Sequence, residues 1–379
     1  RNSWLIISAR FISDFGAFLN MVALSTYVYL LSQSVTQVSI FLACRVTGGI
    51  LASLFGVPYF RRFTGRLPLV ILDILRAALL ALLLIFPSSV QLYLLPFIAL
   101  GIGIGNSMFA IGLNSQLPSW VDDSRRVATN AWLTSASATG AVTGSMVSGI
   151  LLATNGYELV FVTNIVTYLL AGLCILPLRF LIIPAGVEIK NQRKEWRDLV
   201  KGLRAAPLMA GMLLITMADT LGSAAHNVGF PVMGLLLAVW AGGKFAGARS
   251  SNYFLLKRGI PAERLFFYGV ALMSLGFILT FQQNTVSLAL FFIFFAGIGD
   301  GLADVSLISR IQSEVESLRL PVFSLMTLLQ MTGFGVGMLI VAPFYIWLAP
   351  SLVIIIFHGI PLLTLIFVWL YSRRGHASR

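Results

Sequence analysis

Charged residues are scarce in this sequence: Asp, Glu, Lys and Arg make up only 11% of its 379 residues. Soluble domains contain about 25% charged residues, so this composition excludes an ordinary soluble fold. Cysteine is scarcer still, since only Cys44 and Cys174 occur. Both lie inside apolar runs, which argues against a disulfide framework.

Histidine is also rare, and the three residues, His226, His358 and His376, are far apart in the chain. The sequence contains no HExxH, CxxC or nucleophile-elbow pattern of the kind that metal centres and hydrolases use. We therefore predict neither a metal site nor a cofactor, and we do not expect an enzyme. A channel is also not expected.

Apolar residues dominate instead, at 58% of the chain with a mean hydropathy of +0.90. Runs long enough to cross a ~30 Å hydrocarbon core recur along the whole length, so we predict an all-α polytopic membrane protein. The first run is longer than a signal-peptide core, and we expect it to remain as a span. About twelve spans are predicted, near residues 5–31, 36–60, 68–87, 91–116, 127–153, 157–183, 204–229, 235–256, 263–281, 286–309, 320–346 and 350–371.

The formal net charge is +12, and its distribution predicts the topology. Lys and Arg are absent from the odd-numbered connectors between spans and are concentrated in the even-numbered ones. Positively charged connectors stay in the cytoplasm, so both termini are predicted to be cytoplasmic and nucleic-acid binding is not expected. The basic residues of the even-numbered connectors are Arg61, Arg62, Arg66, Arg125, Arg126, Lys190, Arg193, Lys194, Arg197, Lys201, Lys257, Arg258, Arg264 and Arg319.

The longest connector predicts how the chain is divided. Trp196, Leu199 and Leu203 are spaced for one face of a helix among many basic residues, which is typical of an interfacial amphipathic helix. We interpret residues 185–203 as a cytoplasmic linker between an N-terminal six-helix bundle, 1–184, and a C-terminal six-helix bundle, 204–379.

The two halves resemble each other at matching places. Three pairs of motifs recur in corresponding spans: Asp14-Phe-Gly16 and Asp219-Thr-Leu-Gly222, Gly48-Gly49 and Gly242-Gly243, and Gly101-x-Gly103 and Gly297-x-Gly299. Weak internal symmetry of this kind is typical of transporters, whose substrate site lies near the midplane between the repeats. The glycines themselves are expected mainly to let helices pack closely.

Ionisable residues inside the spans are the first candidates for function, because a charge in the bilayer is costly. Asp14, Asp219 and the pair Asp300/Asp304 are candidates for proton coupling. Two carboxylates four residues apart lie on one helix face and cannot both ionise cheaply in a low dielectric. Structural alternatives stay open: Arg10 is placed to pair with Asp14, and Lys244 or Arg310 to pair with Asp300 or Asp304.

Two cations in mid-span, Arg45 and Lys244, are candidate anchors for an anionic substrate. The planar fork of arginine suits a carboxylate in particular. A lipophilic cation would bind the aspartates instead. Further polar candidates for substrate binding are Asn20, Asn106, His226, Asn227 and Gln330.

A short basic connector links the second and third predicted spans. It contains Arg61, Arg62 and Arg66, and the next span continues with Asp73 and Arg76. Either it is a simple cytoplasmic loop that fixes topology, or it is a charged latch that gates transport, with Asp73 paired to Arg76 and Arg66.

Four stretches together resemble the major facilitator superfamily, and within it the drug and siderophore exporters that include enterobactin-exporter-like and macrolide-efflux-like proteins. The resemblance extends over essentially the whole chain. Two departures stand out: no acidic residue precedes Arg61, and Ser145 replaces the usual proline of the antiporter motif. The four stretches are Ser13–Gly16, Gly56–Arg76, Arg125–Ala131 and the glycine motif with Gly140, Gly144 and Gly149. By this resemblance the candidates for gating are Arg61, Arg62, Arg66, Asp73, Arg76, Gly140, Gly144 and Gly149.

The resemblance implies a secondary transporter in a bacterial inner membrane. We expect a proton-coupled exporter of a siderophore or an amphipathic drug-like molecule, working by alternating access as a monomer. The alternative is an importer or facilitator of the same fold for an anionic small molecule. The implied partners are the substrate, protons and the lipid bilayer, without a cofactor.

Overall fold

The computed structural model describes residues 2–154, 156–181, 192–229 and 234–377. Within these residues the regular structure is helical, and one π-helical turn, Tyr253–Lys257, follows the ninth helix. The helices are α1 (Asn2–Ser32), α2 (Val35–Arg62), α3 (Arg66–Ile85), α4 (Ser88–Trp120), α5 (Asp123–Thr154), α6 (Gly156–Ile175), α7 (Gln192–Ala205), α8 (Pro207–Gly229), α9 (Gly234–Asn252), α10 (Ala262–Thr280), α11 (Val286–Gln312), α12 (Glu316–Trp347) and α13 (Pro350–Ala377).

Eleven of these helices are long and apolar enough to cross a membrane, counted over the described residues. The short α7 and the helix α9 are not among them. A span was predicted over 235–256, where α9 lies, but this helix contains Lys244, Arg249 and two serines, which reduce its hydropathy. The predicted all-helical membrane fold is confirmed.

Most helix ends lie within a few residues of the prediction, but the sixth span was predicted too long. It was expected over 157–183, whereas α6 ends at Ile175. Pro177 follows two residues later, and a residue before proline is disfavoured in the helical conformation, so the helix ends there.

One compact unit consists of Arg1–Thr129 and Ala136–Ile189. Inside it, helices touch where glycine leaves room: an added Cβ at Gly48 would meet the backbone of α4, and one at Gly103 would meet the backbone of Arg45. Gly140 and Gly144 likewise face the α1 backbone at Phe11 and Phe15. The close packing expected of these glycines is present.

The second compact unit consists of Asn130–Ser135 and Lys190–Arg379. The predicted boundary between residues 184 and 185 lies outside the described residues. In this unit α9 and α11 are in backbone contact, since Gly243 and Gly247 face α11, and Gly297 and Gly301 face α9. Small residues permit such close approach of membrane helices.

The amphipathic helix predicted in the linker is α7. Leu199 is buried, and Gly202 packs against Leu318 of α12. Trp196 is 43% exposed, so the three apolar residues expected on one face do not share one environment. Residues 185–191 of the predicted linker lie outside the described residues.

Candidate functional site

A cluster of charged side chains in the second unit combines one lysine with two aspartates. The Nζ atom of Lys244 on α9 lies 3.1 Å from Oδ2 of Asp300 and 2.6 Å from Oδ2 of Asp304, both on α11. Backbone contact at Gly301, beside the carbonyl of Lys244, holds the two helices close enough for this pairing. The alternative in which Lys244 pairs with the aspartates is therefore the one found, and Lys244 is not available as a free anion anchor.

Asp219 on α8 adds a third carboxylate to this region. The charges of Asp300, Asp304 and Lys244 act on Asp219. Among the described residues, however, Asp219 forms no ion pair and no hydrogen bond. Lys244 thus contacts two carboxylates, and Asp219 adds a third that it does not contact, so the region holds two more carboxylates than lysines.

The three members of the Lys244 cluster differ in their access to the surroundings. The side chains of Lys244 and Asp300 are 14% and 15% exposed, whereas Asp304 is 39% exposed. The indole ring of Trp240 lies with its centroid 5.1 Å from Lys244 Nζ and makes a cation–π contact. Asp304 is therefore the member that an entering proton or ligand reaches most easily.

A second charged pair, Asp73 with Arg76, is sealed inside the first unit. Asp73 accepts a hydrogen bond from Arg76, and the two residues are 0% and 1% exposed. Arg76 also donates to Oδ1 of Asn106 at 2.7 Å and lies between the rings of Phe109 and Tyr168. Asn106, a predicted substrate ligand, is thus engaged by Arg76, and the arrangement is that of a structural link between α3, α4 and α6.

The basic connector does not show the pairing of Arg66 with Asp73 that its interpretation as a latch included. Arg66 donates to the backbone carbonyl of Leu178 at 2.5 Å instead of pairing with Asp73. Arg62 is exposed and stacks on Phe63, while Arg61 is buried at the end of α2. Of the two arginine partners considered for Asp73, only Arg76 is found.

Asp14 and the glycines of the antiporter-like motif meet along α1. Nε of Arg10 donates to Oδ2 of Asp14 at 2.5 Å, which is the pairing that was held open. The Cβ of Asp14 also lies against Gly140, whereas nothing lies within 4 Å of a Cβ added at Gly149. The negative charge of Asp14 is therefore balanced by Arg10. Gly149 differs from Gly140 and Gly144, because nothing is packed against it.

Arg45 lacks a carboxylate partner among the described residues. Its Nη2 donates to the carbonyl of Ala17 at 3.3 Å, and its buried Nη1 has no hydrogen-bond partner. Asn20, one helical turn after Ala17, is 1% exposed, and both of its amide atoms are also unpartnered. Gln330, the remaining polar candidate, lies half-buried on α12.

A histidine pair in the second unit was missed by sequence reasoning. Nδ1 of His226 lies 3.1 Å from Nε2 of His358, and the Phe277 ring stacks on both imidazoles. Asn227 lies 3.2 Å from the other nitrogen of His226. The two histidines are 132 positions apart, so no local signal in the sequence predicts the pair. No group of three or more potential metal-ligating side chains occurs in the part of the chain that the structure describes.

Eleven helices of the described residues that are long and apolar enough to cross a membrane, with ionisable side chains buried among them, define a polytopic membrane protein. The sequence matches the Major Facilitator Superfamily over residues 6–319. The chain belongs to this family. No curated protein sequence matches the chain closely enough to count as a relative.

Solved structures of the same fold agree with this assignment. A bacterial homologue of the iron transporter ferroportin, in an outward-facing state, is similar with a TM-score of 0.76 and 14% identity, covering 98% of this chain and 100% of that one. The E. coli fucose:proton symporter gives 0.74 and 13%, covering 97% and 98%. A proton:xylose symporter gives 0.70 and 13%, covering 98% and 96%. At these identities the likeness establishes the fold alone.

Proposed function

We propose that this transporter is a proton-coupled exporter of a siderophore or an amphipathic drug-like molecule, working by alternating access. The observation that supports it is the surplus of carboxylates around Lys244. Asp300 and Asp304 share one cation, and Asp219 has no partner of its own. Buried carboxylates in excess of cations bind protons readily, because protonation removes an uncompensated charge.

Proton exchange at this cluster would change the ion pairs of Lys244. With Asp300 and Asp304 ionised, the lysine is held by both. When protons neutralise carboxylates of the cluster, the attraction of Lys244 to them weakens, and so does the electrostatic attraction between α9 and α11. A carrier needs such a difference, because a ligand shifts a conformational equilibrium only through unequal affinity for the two states.

The direction of transport is supported by resemblance to exporters, through the glycine motif of α5 and the Asp14 and Asp73 stretches. The fucose and xylose proton symporters share the fold with this chain. If this chain were a proton-coupled importer, the cluster around Lys244 would serve it equally well. We therefore keep import or facilitated transport of an anionic molecule as the alternative. We place the protein in a bacterial inner membrane with both termini in the cytoplasm, on the basis of its basic connectors.

The test is a proton-flux assay in proteoliposomes that contain a pH-sensitive dye, with enterobactin, ethidium and citrate offered as probes. We expect at least one probe gradient to drive counter-movement of protons in the wild type. Asp219→Asn should abolish this proton movement, because the replacement cannot bind and release a proton. Arg125→Gln removes an exposed charge outside the cluster and is the matched control.

Two outcomes would contradict the proposal. Probe movement without any pH change, in both the wild type and Asp219→Asn, would identify a facilitator. Proton movement in the same direction as the probe would identify a symporter and favour import.

A further inference from the structure

We infer that Arg45 is the anchor for the negatively charged group of the transported molecule, and that this group is a carboxylate or an anion of similar planar shape. The inference rests on the proposed transport function and names its substrate class. Most of the ionisable residues inside the helices contact an oppositely charged side chain, whereas Arg45 does not contact one among the described residues.

Several buried ion pairs account for most of the mid-helix charges. Arg10 binds Asp14, Arg76 binds Asp73, and Lys244 binds Asp300 and Asp304. These pairs follow the rule that a charge removed from water is matched by an opposite charge. Arg45 departs from the rule, since no carboxylate of the described residues lies within ion-pair distance of it.

The hydrogen bonds of Arg45 are incomplete as well. One guanidinium nitrogen makes a 3.3 Å bond to the Ala17 carbonyl, and Nη1 is buried without a partner. Buried polar groups in native proteins are nearly always satisfied, so an unsatisfied guanidinium N–H requires an explanation. A ligand that supplies an acceptor with negative charge is the explanation that satisfies the hydrogen bond and the charge together.

Two more unpartnered polar groups lie on the helices that surround Arg45. Asn20 on α1 has both amide atoms unpartnered, and Tyr168 on α6 has an unpartnered hydroxyl. Their exposures are 1% and 0%, so bulk solvent does not reach them. Arg45 contacts α1 one turn before Asn20, and its charge acts on Tyr168. The guanidinium, the Nδ2 amide group of Asn20 and the Tyr168 hydroxyl can each donate a hydrogen bond, as an anion requires, while Oδ1 of Asn20 can only accept one.

The balance of charge in this region agrees with an anion. The charges considered are three arginines, Arg10, Arg45 and Arg76, and two carboxylates, Asp14 and Asp73. Two of the arginines are paired with these carboxylates, which leaves one positive charge at Arg45. In the second unit the surplus charge is negative and lies at Asp219. A cationic group would therefore be attracted to Asp219 and repelled by Arg45. Arginine rather than lysine at this position favours a ligand with two coplanar oxygens, because its fork binds both.

The experiment compares benzoate with its neutral counterpart benzamide as thermal-shift ligands of the purified protein in detergent, without a proton gradient. We expect benzoate to stabilise the wild type more than benzamide. Arg45→Gln should weaken benzoate binding by about 10- to 100-fold, the factor that a charge-assisted hydrogen bond contributes, and leave benzamide unchanged. Arg45→Lys keeps the charge and loses the fork, so its affinity for benzoate should lie between those of the wild type and Arg45→Gln.

Controls separate this site from the proton site and from misfolding. Arg125→Gln removes an exposed positive charge from the same unit and should bind benzoate like the wild type. Asp219→Asn should keep the preference for benzoate even though proton movement is lost. Equal stabilisation by benzoate and benzamide in the wild type, or an Arg45→Gln variant that is monodisperse and still prefers benzoate, would overturn the inference and assign the unpartnered atoms to buried water.

Discussion

Arg45 in the first unit and Lys244 in the second are both cations on helices held by glycine contacts, yet their surroundings differ. The carbonyl of Arg45 faces Gly103, and the carbonyl of Lys244 faces Gly301. Lys244 is bound by two carboxylates, whereas Arg45 has one long hydrogen bond to a backbone carbonyl. Similar backbone packing therefore accompanies two different charge environments: one cation is paired with two carboxylates, and the other has no carboxylate partner among the described residues.

The comparison also separates structural charges from functional ones. Asp73 and Arg76 are as deeply buried as any ionised group in the chain, and Arg76 is surrounded by Asn106 and two aromatic rings. Each of these two residues contacts an opposite charge, although Nε of Arg76 and Oδ2 of Asp73 have no hydrogen-bond partner. Burial alone therefore does not identify a functional charge, whereas the lack of an oppositely charged partner among the described residues sets Arg45 and Asp219 apart from this pair.

The largest effect is expected from Lys244→Met. Loss of the lysine leaves Asp300 and Asp304 without a counter-ion, which costs about 3–5 kcal/mol in buried pairs. Thermal unfolding in detergent should show the loss most strongly at about pH 8 and less at about pH 5, because protons neutralise the abandoned carboxylates as the pH falls.

The control for this substitution is the triple variant in which Asp300→Asn and Asp304→Asn accompany Lys244→Met. It should recover most of the lost stability, because positions 300 and 304 no longer carry the charges that Lys244 compensates. A single variant that unfolds at the wild-type temperature at both pH values would show that the lysine is not needed to compensate these aspartates.

A medium effect is expected from alanine at the two glycines that face the cations. Gly103→Ala and Gly301→Ala each place a methyl group against backbone atoms, and overpacking of this kind costs about 1–3 kcal/mol. Similar decreases in unfolding temperature would show that both units use the same packing device. Gly149→Ala is the matched control, because nothing lies within 4 Å of its added Cβ, and a decrease there as large as the other two would contradict the assignment to packing.

The smallest effect on stability is expected from Arg45→Gln. No carboxylate is left unpaired by this change, so the free energy of unfolding should stay within about 1 kcal/mol of the wild type. Circular dichroism melting in the absence of ligand would measure it. A loss comparable to that of Lys244→Met would mean that Arg45 has a structural counter-ion, and the contrast between the two cations would disappear.

The helices were predictable because apolar runs and membrane thickness limit the choices. The third span was expected over 68–87 and is found at Arg66–Ile85. Pairs within one helix were predictable too, since Arg10 and Asp14 are separated by one turn. Close helix packing was predictable at Gly48, Gly103, Gly243 and Gly297, because glycine has no side chain to keep two helices apart.

Contacts between distant parts of the chain were not predictable in the same way. The pairing of Lys244 with Asp300, 56 positions away, was only one of the alternatives, and the hydrogen bond from Arg66 to the Leu178 carbonyl, which spans 112 positions, was not predicted. A single sequence states which residues are ionisable, but the partner of each is set by the rotation and depth of packed helices. For this reason the sequence offered both Arg45 and Lys244 as anion anchors, and only the structure shows that Lys244 contacts two aspartates and Arg45 a backbone carbonyl.

The glycine contact between α9 and α11 limits how the distance between these two helices can vary. Where two backbones touch at Gly243 and Gly297, no side chain lies between them that could change its rotamer and let them separate. The distance between these helices is therefore fixed by van der Waals contact. We expect spin labels placed one on each helix to report a narrower distribution of distances than labels on helices whose contact is made through long side chains.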